Sequence, residues 1–168
     1  FYLFTEITVD AKEAEPVSFN DIVVVLDCSQ SMKDVDAGYA SFDFAGSLSA
    51  IMPRDYRVGV IAYRDEVCIS QPPGSSHEMI ENALKEIEYA NYGNAGAGLS
   101  AAVESFDQNA AAKRIILISD GEIMMKTEEG TQESAELFAQ AVEKAKGEGI
   151  VIDVISLGQR MEEGYTVY

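Results

Sequence analysis

Apolar runs recur along the chain and are separated by longer segments of mixed apolar and polar residues. A strand with one wet face alternates apolar and polar residues, whereas a continuous run is typical of a strand buried on both faces. A further short run, residues 67–69, follows the charged turn 64–66, which is too short for anything but an antiparallel hairpin. The pattern therefore predicts a mostly parallel sheet with one antiparallel edge strand. The predicted core strands are residues 22–26, 57–63, 115–118 and 150–157, of which 22–26 and 115–118 are unbroken aliphatic runs.

Between these runs, apolar residues recur at helical spacing. Pro53 ends the first predicted helix, Ser76 is placed to cap the second, and Gly147 and Gly149 follow the last. We interpret residues 89–98 as a glycine-rich stretch that opens a helix carrying Leu99, and residues 128–133 as a polar loop. The alternation predicts a doubly wound, Rossmann-like α/β fold with helices on both faces of the sheet. The other predicted helices are residues 39–52, 77–88 and 134–146.

Length favours a single domain. The chain has 168 residues, a size at which one core suffices. We expect residues 1–20 to form an N-terminal edge strand or arm, and residues 21–168 to form the domain itself. Since the sequence starts at Phe1, without a start methionine or a signal peptide, we expect it to be a piece of a longer protein.

The composition and charge limit the classes of binding partner that we expect. Hydrophobic residues make up 47% of the chain, yet no apolar stretch approaches the length of a membrane helix, so we expect no membrane insertion of this fragment. The formal net charge of -17 argues against nucleic acid and is compatible with divalent cations or basic partners. Two cysteines, Cys28 and Cys68, are too few for a disulfide framework or a zinc site, and we interpret both as buried thiols. We expect no catalytic role for His77, which has no partner acid in view.

Candidate chemistry lies where the first core strand ends. Asp27 follows the run 22–26 directly, and Ser29 and Ser31 come next at a spacing of two. Ligands of open α/β sheets bind at the carboxyl ends of strands. One carboxylate and two hydroxyl groups make an all-oxygen face that suits a hard cation such as Mg²⁺. A second acid, Asp120, ends the run 115–118 in the same way.

Several segments together resemble the von Willebrand factor type A domain family, over residues 21–158. The stretch from Asp27 resembles its metal-ion-dependent adhesion site, whose first element is Asp-x-Ser-x-Ser. The resemblance implies that Ser29 and Ser31 bind Mg²⁺, or Mn²⁺ or Ca²⁺, directly, and that Asp27 and Asp120 act directly or through water. The segments are DIVVVLDCSQSM, RVGVIAY, GNAGAGLSAAV and RIILISDGE, in that order.

The chain departs from the family's pattern at one ligand. The pattern Thr-Asn-x-Gly-x-x-Leu, laid on residues 93–99, puts Gly93 where the threonine hydroxyl belongs, and a shift by two puts Ala95 there. Water or the side-chain oxygen of Asn94 would have to replace it, so we expect weakened metal binding. The alternative is a degenerate site kept as a structural turn. The family's closing helix after the last strand also has no counterpart before Tyr168, which predicts an exposed apolar patch.

The resemblance implies a non-enzymatic, adhesion-type module in which the cation accepts an Asp or Glu side chain from a partner protein. We expect an extracellular or cell-surface location within a longer chain, with a cytoplasmic location left open. One alternative is an intracellular scaffold subunit of an ATPase-linked assembly. Another is a phosphoryl-transfer enzyme with Asp27 as nucleophile, which is disfavoured because Ser29 stands where such hydrolases carry a second acid.

Overall fold

The computed structural model describes residues 18–158 and has a single sheet at its centre. The sheet order is β3-β2-β1-β4-β5; all neighbouring strands are parallel except β2 and β3, which are antiparallel. This order confirms the predicted mostly parallel sheet with one antiparallel edge strand. The strands are β1 (Asn20–Asp27), β2 (Tyr56–Tyr63), β3 (Val67–Gln71), β4 (Ala112–Ser119) and β5 (Val151–Ser156).

Helices cover both faces of the sheet, as the alternating pattern predicts. In the described part of the chain they are α1 (Met32–Val35), α2 (Ala40–Ile51), α3 (His77–Lys85), α4 (Ala95–Glu104) and α5 (Glu128–Gly147). Helices α2 and α3 contribute to the core on one face, and α4 and α5 to the core on the other. The architecture is the doubly wound α/β fold.

Strand β1 supplies both cores because it lies in the middle of the sheet. Val23 and Val25 face α4 and α5, whereas Val24 and Leu26 face α2 and α3, and all four side chains are 0% exposed. Burying each of these side chains contributes about 1.5–3 kcal/mol. A strand between two cores must be apolar at every position, which explains the unbroken run in the sequence.

The predicted polar loop at residues 128–133 is wrong, since α5 begins at Glu128. Thr127 caps the helix, and its Oγ1 accepts a hydrogen bond from the Gly130 N–H at 3.1 Å. Glu128 and Glu129 then lie in the first turn, where negative charge is favourable. The first turns of α5 are polar because they face solvent.

The glycine-rich stretch also ends earlier than predicted. Helix α4 starts at Ala95, so Gly96 and Gly98 are helical residues that allow close packing. A Cβ at Gly98 would overlap the ring of Tyr63 on β2, and a Cβ at Gly96 would overlap the backbone carbonyl of Ser134 on α5. Two smaller differences are that α1 was not predicted and that α3 ends at Lys85 rather than near residue 88.

The edge strand β5 is the least covered part of the sheet. Val151, Val154 and Ile155 are 46%, 63% and 39% exposed, in line with the apolar patch that the sequence predicts. The predicted N-terminal arm and the residues after Gly158 lie outside the described residues. Among residues 18–158, no helix has both the length and the apolar character needed to cross a lipid bilayer.

Candidate metal centre

The candidate site lies at the carboxyl edge of the two central strands. Strand β1 ends at Asp27, and its parallel neighbour β4 ends at Ser119, directly before Asp120. Because the two strands are paired in register, both acids leave the sheet at the same edge. The structure thus brings the two sequence-distant parts of the predicted site to one place.

Asp27 is held by protein donors on both carboxylate oxygens. Its Oδ1 accepts the Ser29 N–H at 2.9 Å, and its Oδ2 accepts the hydroxyls of Tyr63 at 3.0 Å and Ser119 at 2.8 Å. The Asp27 side chain is 0% exposed. Burial raises the pKa of this carboxyl, while the hydrogen bonds from Ser29, Ser119 and Tyr63 act to lower it. The carboxylate is therefore fixed in position.

Tyr63 stays a hydrogen-bond donor to Asp27. Burial and the nearby Asp27 charge raise the pKa of its phenol well above the usual value. Asp27 and Tyr63 are also cross-strand partners at the ends of β1 and β2. Tyr63 and Ser119 were not among the predicted site residues, although both end strands beside Asp27, and strand position could have identified them.

The two serines lie side by side. The Oγ atoms of Ser29 and Ser31 are 3.1 Å apart. Ser29 is 3% exposed and Ser31 is partly exposed, so this pair faces the opening of the site. Met32, which is 0% exposed and begins α1, anchors the end of the loop in the core. The serine hydroxyls are thus held together in a loop that is fixed at both ends.

Asp120 begins a short turn after β4. Its Oδ1 accepts the Glu122 N–H at 2.9 Å, and the Gly121 N–H donates to Ser119 Oγ at 2.9 Å. The Asp120 charge contributes to the raised pKa of Tyr63, whose hydroxyl donates to Asp27. Asp120 is partly exposed, in contrast to Asp27.

Gly93 faces the serine pair. Its N–H donates to the Met124 carbonyl at 2.8 Å, and a Cβ built on it would lie 3.5 Å from Ser29 Oγ and 3.4 Å from Ser29 Cβ. These are ordinary contact distances, and Gly93 does not have a positive φ. A hydroxyl-bearing side chain at this position would therefore point at the serine loop, which agrees with the register that puts Gly93 in the threonine position.

Asn94, the predicted substitute for that threonine, has another role in the structure. Its Oδ1 accepts the Ala97 N–H at 3.1 Å as the N-cap of α4, and its Nδ2 donates to the Asp65 carbonyl at 3.3 Å. These hydrogen bonds fix the Asn94 amide to the start of α4 and to the turn between β2 and β3.

A cleft of about 260 Å³ opens beside the serines. Asp34 and Glu122, which the sequence did not single out, are among its lining residues. Within residues 18–158, no three His, Cys, Asp or Glu side chains cluster as metal ligands, so any cation here depends on serine hydroxyls. The lining residues are Ser29, Gln30, Ser31, Asp34, Asn91, Tyr92, Gly93, Glu122 and Met124.

His77 belongs to a different part of the molecule. It is the first residue of α3, and its Nδ1 is hydrogen-bonded to Ser49 Oγ of α2 at 2.8 Å. Ser76 caps α3 by accepting the Met79 N–H at 3.2 Å, as predicted. The hydrogen bond of His77 thus joins the two helices on this face of the sheet.

The fold and the strand-end acids define a class: open α/β domains with Asp-x-Ser-x-Ser after the central strand. Residues 22–122, more than half of the chain, match the family model of the von Willebrand factor type A domain. The chain belongs to this family.

The chain is also similar to individual proteins and solved structures. An UPF0353 protein of Mycolicibacterium paratuberculosis is 27% identical over 150 residues, which cover 82% of this chain and 44% of that protein. The chain thus spans less than half the length of this relative. An aerotolerance-related membrane protein from Bacteroides fragilis has a similar fold, with a TM-score of 0.65 and 21% identity over 89% of this chain and 75% of its own.

A third protein of similar fold is described with a bound metal. Proximal thread matrix protein 1 from the mussel byssus has a zinc-occupied metal-ion-dependent adhesion site (MIDAS) motif. Its TM-score is 0.57 and its identity 23%, and the match covers 84% of this chain and 39% of that one. At this level of identity the likeness concerns the fold alone.

Proposed function

We propose that this domain is a non-enzymatic protein-binding module of the adhesion type, in which a divalent cation recruits an Asp or Glu side chain of a partner protein. The observation that carries the proposal is the serine pair, whose Oγ atoms lie 3.1 Å apart beside a fixed carboxylate. Ser29 and Ser31 would bind the cation directly. Asp27 and Asp120 would act directly or through water.

The donor set fits a hard cation. Hydroxyl and carboxylate oxygens suit Mg²⁺, Mn²⁺ or Ca²⁺ better than a soft metal. Neutral hydroxyl ligands leave much of the cation's charge unbalanced, so a partner carboxylate is attracted to a free coordination position. Asp27 supports this arrangement because its hydrogen bond to the Ser29 N–H orients the serine loop.

The surroundings of the site restrict the partner. Asp34 and Glu122 line the cleft, and the chain carries a formal net charge of -17. A partner with only acidic residues would be repelled. We therefore propose a protein partner that presents one Asp or Glu flanked by basic residues. Nucleic acid is disfavoured on the same grounds.

The non-enzymatic character is supported by the enclosure of Asp27. Its carboxylate is 0% exposed and accepts hydrogen bonds on both oxygens, from Ser29, Tyr63 and Ser119. A nucleophilic carboxylate must reach its substrate with a free lone pair. Asp27 is thus better suited to orienting the loop than to attacking a phosphoester.

Isothermal titration with Mg²⁺ and Mn²⁺ tests the metal assignment. We expect binding to the wild type and at least about a tenfold loss for Ser31→Ala, because a direct ligand is removed. Ser47→Ala, an exposed serine on α2, is the control and should bind as the wild type does. Identical isotherms for the wild type and Ser31→Ala would contradict the assignment.

A second titration tests the carboxylate. Bound Mn²⁺ speeds the relaxation of water protons, and acetate should reduce this effect by displacing a water from the metal, whereas acetamide should not. Equal responses to acetate and acetamide would contradict the proposed recognition of a carboxylate while leaving metal binding intact.

A scaffold subunit with a purely structural turn is the second candidate, and one observation favours it. The Asp27 carboxylate accepts three hydrogen bonds from the protein, and Gly93 contributes no hydroxyl. Such a domain would show no binding heat with Mg²⁺ or Mn²⁺ for any variant. The adhesion proposal places the domain outside the cell within a longer chain, whereas this candidate places it inside an ATPase-linked assembly.

A further inference from the structure

A groove lies between helices α2 and α3, on the face of the sheet opposite α4 and α5. Its volume is about 380 Å³, larger than the cleft beside the serines. The lining residues are Tyr39, Phe42, Asp43, Glu81, Leu84, Lys85, Ile87 and Glu88. This size is within the range of pockets that hold small ligands, and the metal site does not use the groove.

Aromatic rings line part of the groove. Tyr39 directly precedes α2 and is 37% exposed, and its ring stacks on that of Tyr89 with centroids 4.8 Å apart and planes 2° apart. The ring of Phe42 packs against both, at centroid distances of 5.2 Å and 5.3 Å. Guanidinium groups stack on exposed aromatic rings and are attracted by them. Tyr39 therefore offers an aromatic surface to a cation.

A buried carboxylate fixes this aromatic group. Tyr89 is 5% exposed, and its hydroxyl donates to Asp36 Oδ2. The Asp36 carboxylate also accepts the N–H groups of Ala40 at 2.8 Å and Ser41 at 3.0 Å, in the first turn of α2. Asp36 thus ties Tyr89 to the start of the helix that Tyr39 precedes. A preformed surface loses little conformational freedom on binding, which favours binding.

Acidic residues surround the aromatic rings. Three of the lining residues are acidic, and the basic one, Lys85, pairs with Glu81 at 3.5 Å. Within residues 18–158, neither Asp43 nor Glu88 pairs with a lysine or arginine, and both are exposed. Carboxylates beside an aromatic ring attract a cation through both its charge and its contact with the ring. The groove is therefore complementary to a basic side chain.

We propose that this groove is a second binding surface, which takes an arginine side chain of a partner protein. The guanidinium would stack on Tyr39 and pair with Asp43 and Glu88, while the aliphatic part of the side chain would pack on the apolar lining residues. Arginine fits better than lysine because its planar head can stack and bind two carboxylates, whereas an ammonium is a compact, strongly hydrated charge. The net charge of -17 attracts a basic partner.

The groove and the loop of the candidate metal site share a supporting segment. Tyr89 belongs to the aromatic rings of the groove, and the N–H of the next residue, Ala90, donates to the Cys28 carbonyl at 3.0 Å. The Gln30 N–H donates to the Asn91 carbonyl at 3.1 Å. We therefore expect one partner to present an acid to the cation and an arginine to the groove. This last step rests on the proposed function, whereas the groove itself needs no metal.

The test titrates the whole chain with N-acetyl-arginine methylamide in the presence of EDTA and follows the backbone amide signals in a nitrogen–proton NMR correlation spectrum. We expect saturable shifts at residues 39–43 and 81–89. The citrulline counterpart, which has a similar shape without the charge, should give none, and N-acetyl-lysine methylamide should bind more weakly. Equal binding of the citrulline probe, binding of the lysine probe as tight as that of arginine, or saturable shifts only in other parts of the chain would overturn the proposal.

Three variants locate the binding. The double variant Asp43→Asn with Glu88→Gln should bind the arginine probe at least about threefold more weakly, because two exposed ion pairs are lost. Tyr39→Asn should bind about twofold to fivefold more weakly, because it lacks the ring, and asparagine tolerates the positive φ of 56° at this position. The control, Glu133→Gln with Glu143→Gln, removes the same charge from exposed positions of α5 and should bind as the wild type does.

Circular dichroism and thermal melting show that each variant is folded, and the comparison of arginine with citrulline on the wild type needs no variant. Wild-type affinity in the variant of Asp43 and Glu88 would overturn the proposal. An equal loss in the control variant would also overturn it, since the attraction would then come from net charge alone. Because EDTA removes any bound cation, these outcomes are independent of the proposed metal site, which the Mn²⁺ titrations decide.

Discussion

Gly93 is the residue at which the site departs from the pattern of its family. A side chain at this position would lie next to the serine pair, since a Cβ on Gly93 would be 3.5 Å from Ser29 Oγ. Gly93 lacks only the side-chain hydroxyl, because the backbone that would carry it is in place. The departure should therefore weaken the site without changing its shape.

Restoring the hydroxyl is expected to strengthen metal binding. Gly93→Thr should raise the Mn²⁺ affinity by about tenfold to a hundredfold, the equivalent of about 1–3 kcal/mol for one additional contact. Gly93→Ala adds the same Cβ without the hydroxyl and should bind like the wild type. Both substitutions have room for the Cβ and need no positive φ. Equal Mn²⁺ affinity of the Thr and Ala variants, measured by titration, would contradict the role given to this position.

Some residues of the candidate site could be predicted from the sequence and others could not, for a physical reason. Asp27, Ser29, Ser31 and Asp120 belong to local strand-end motifs, so spacing alone identified them as candidates. Tyr63 donates to Asp27 from a neighbouring strand, and this contact exists only once the register of β1 and β2 is known. Of the two cysteines interpreted as buried thiols, Cys28 is buried and Cys68 is partly exposed.

Helix α4 connects the site to the rest of the fold. Gly98 lets α4 lie against Tyr63, whose hydroxyl donates to Asp27. Gly96 lets the same helix approach α5, where the Gly96 N–H donates to Ser134 Oγ at 3.2 Å. The glycines that resembled a loop in the sequence are thus the points of closest packing.

Substituting one tightly packed and one open helical glycine separates the effect of close packing on stability from the effect of helix propensity. Gly96→Ala should lower the free energy of unfolding by about 1–3 kcal/mol, because its Cβ would meet the Ser134 carbonyl. Gly147→Ala, in α5 with open space around it, should raise it by up to about 1 kcal/mol. Urea denaturation monitored by circular dichroism measures both. A stabilising effect of Gly96→Ala would show that α4 and α5 are not packed as described.

Element types were predicted better than element boundaries. All five strands were predicted within a few residues of their bounds. The prediction that the last of them, β5, is buried on both faces was wrong, since most of its residues are exposed. The start of α5 was missed because its first turns are polar and depend on the Thr127 cap. The start of α4 was missed because glycine is a poor helix former, and here tertiary contact outweighs that preference.

For the whole molecule, the sheet order explains why the candidate site can exist at all. Placing β1 between β2 and β4 gathers Asp27, Tyr63 and Ser119 at one edge. The same order leaves β5 at an edge, where Val154 and Ile155 are exposed among the residues 18–158 that the structure describes. The class of fold followed from the sequence, whereas the contacts at this edge required the structure.

Metal binding should stabilise the entire domain, because a ligand that binds only the folded chain shifts the unfolding equilibrium. At a hundred times the dissociation constant the gain is about 2.7 kcal/mol. For a domain of this size that corresponds to a Tm increase of about 5–10 °C. The acidic surface is the same in the wild type and Ser31→Ala, so nonspecific attraction of cations affects both equally.

The most direct test of the central claim is therefore the thermal unfolding of the wild type and Ser31→Ala, with and without saturating Mn²⁺ at constant ionic strength. Binding at the serine pair predicts a higher Tm for the wild type with Mn²⁺, reversed by a chelator, and little or no increase for Ser31→Ala. The same increase in both proteins, or none in either, would contradict a metal site at Ser29 and Ser31.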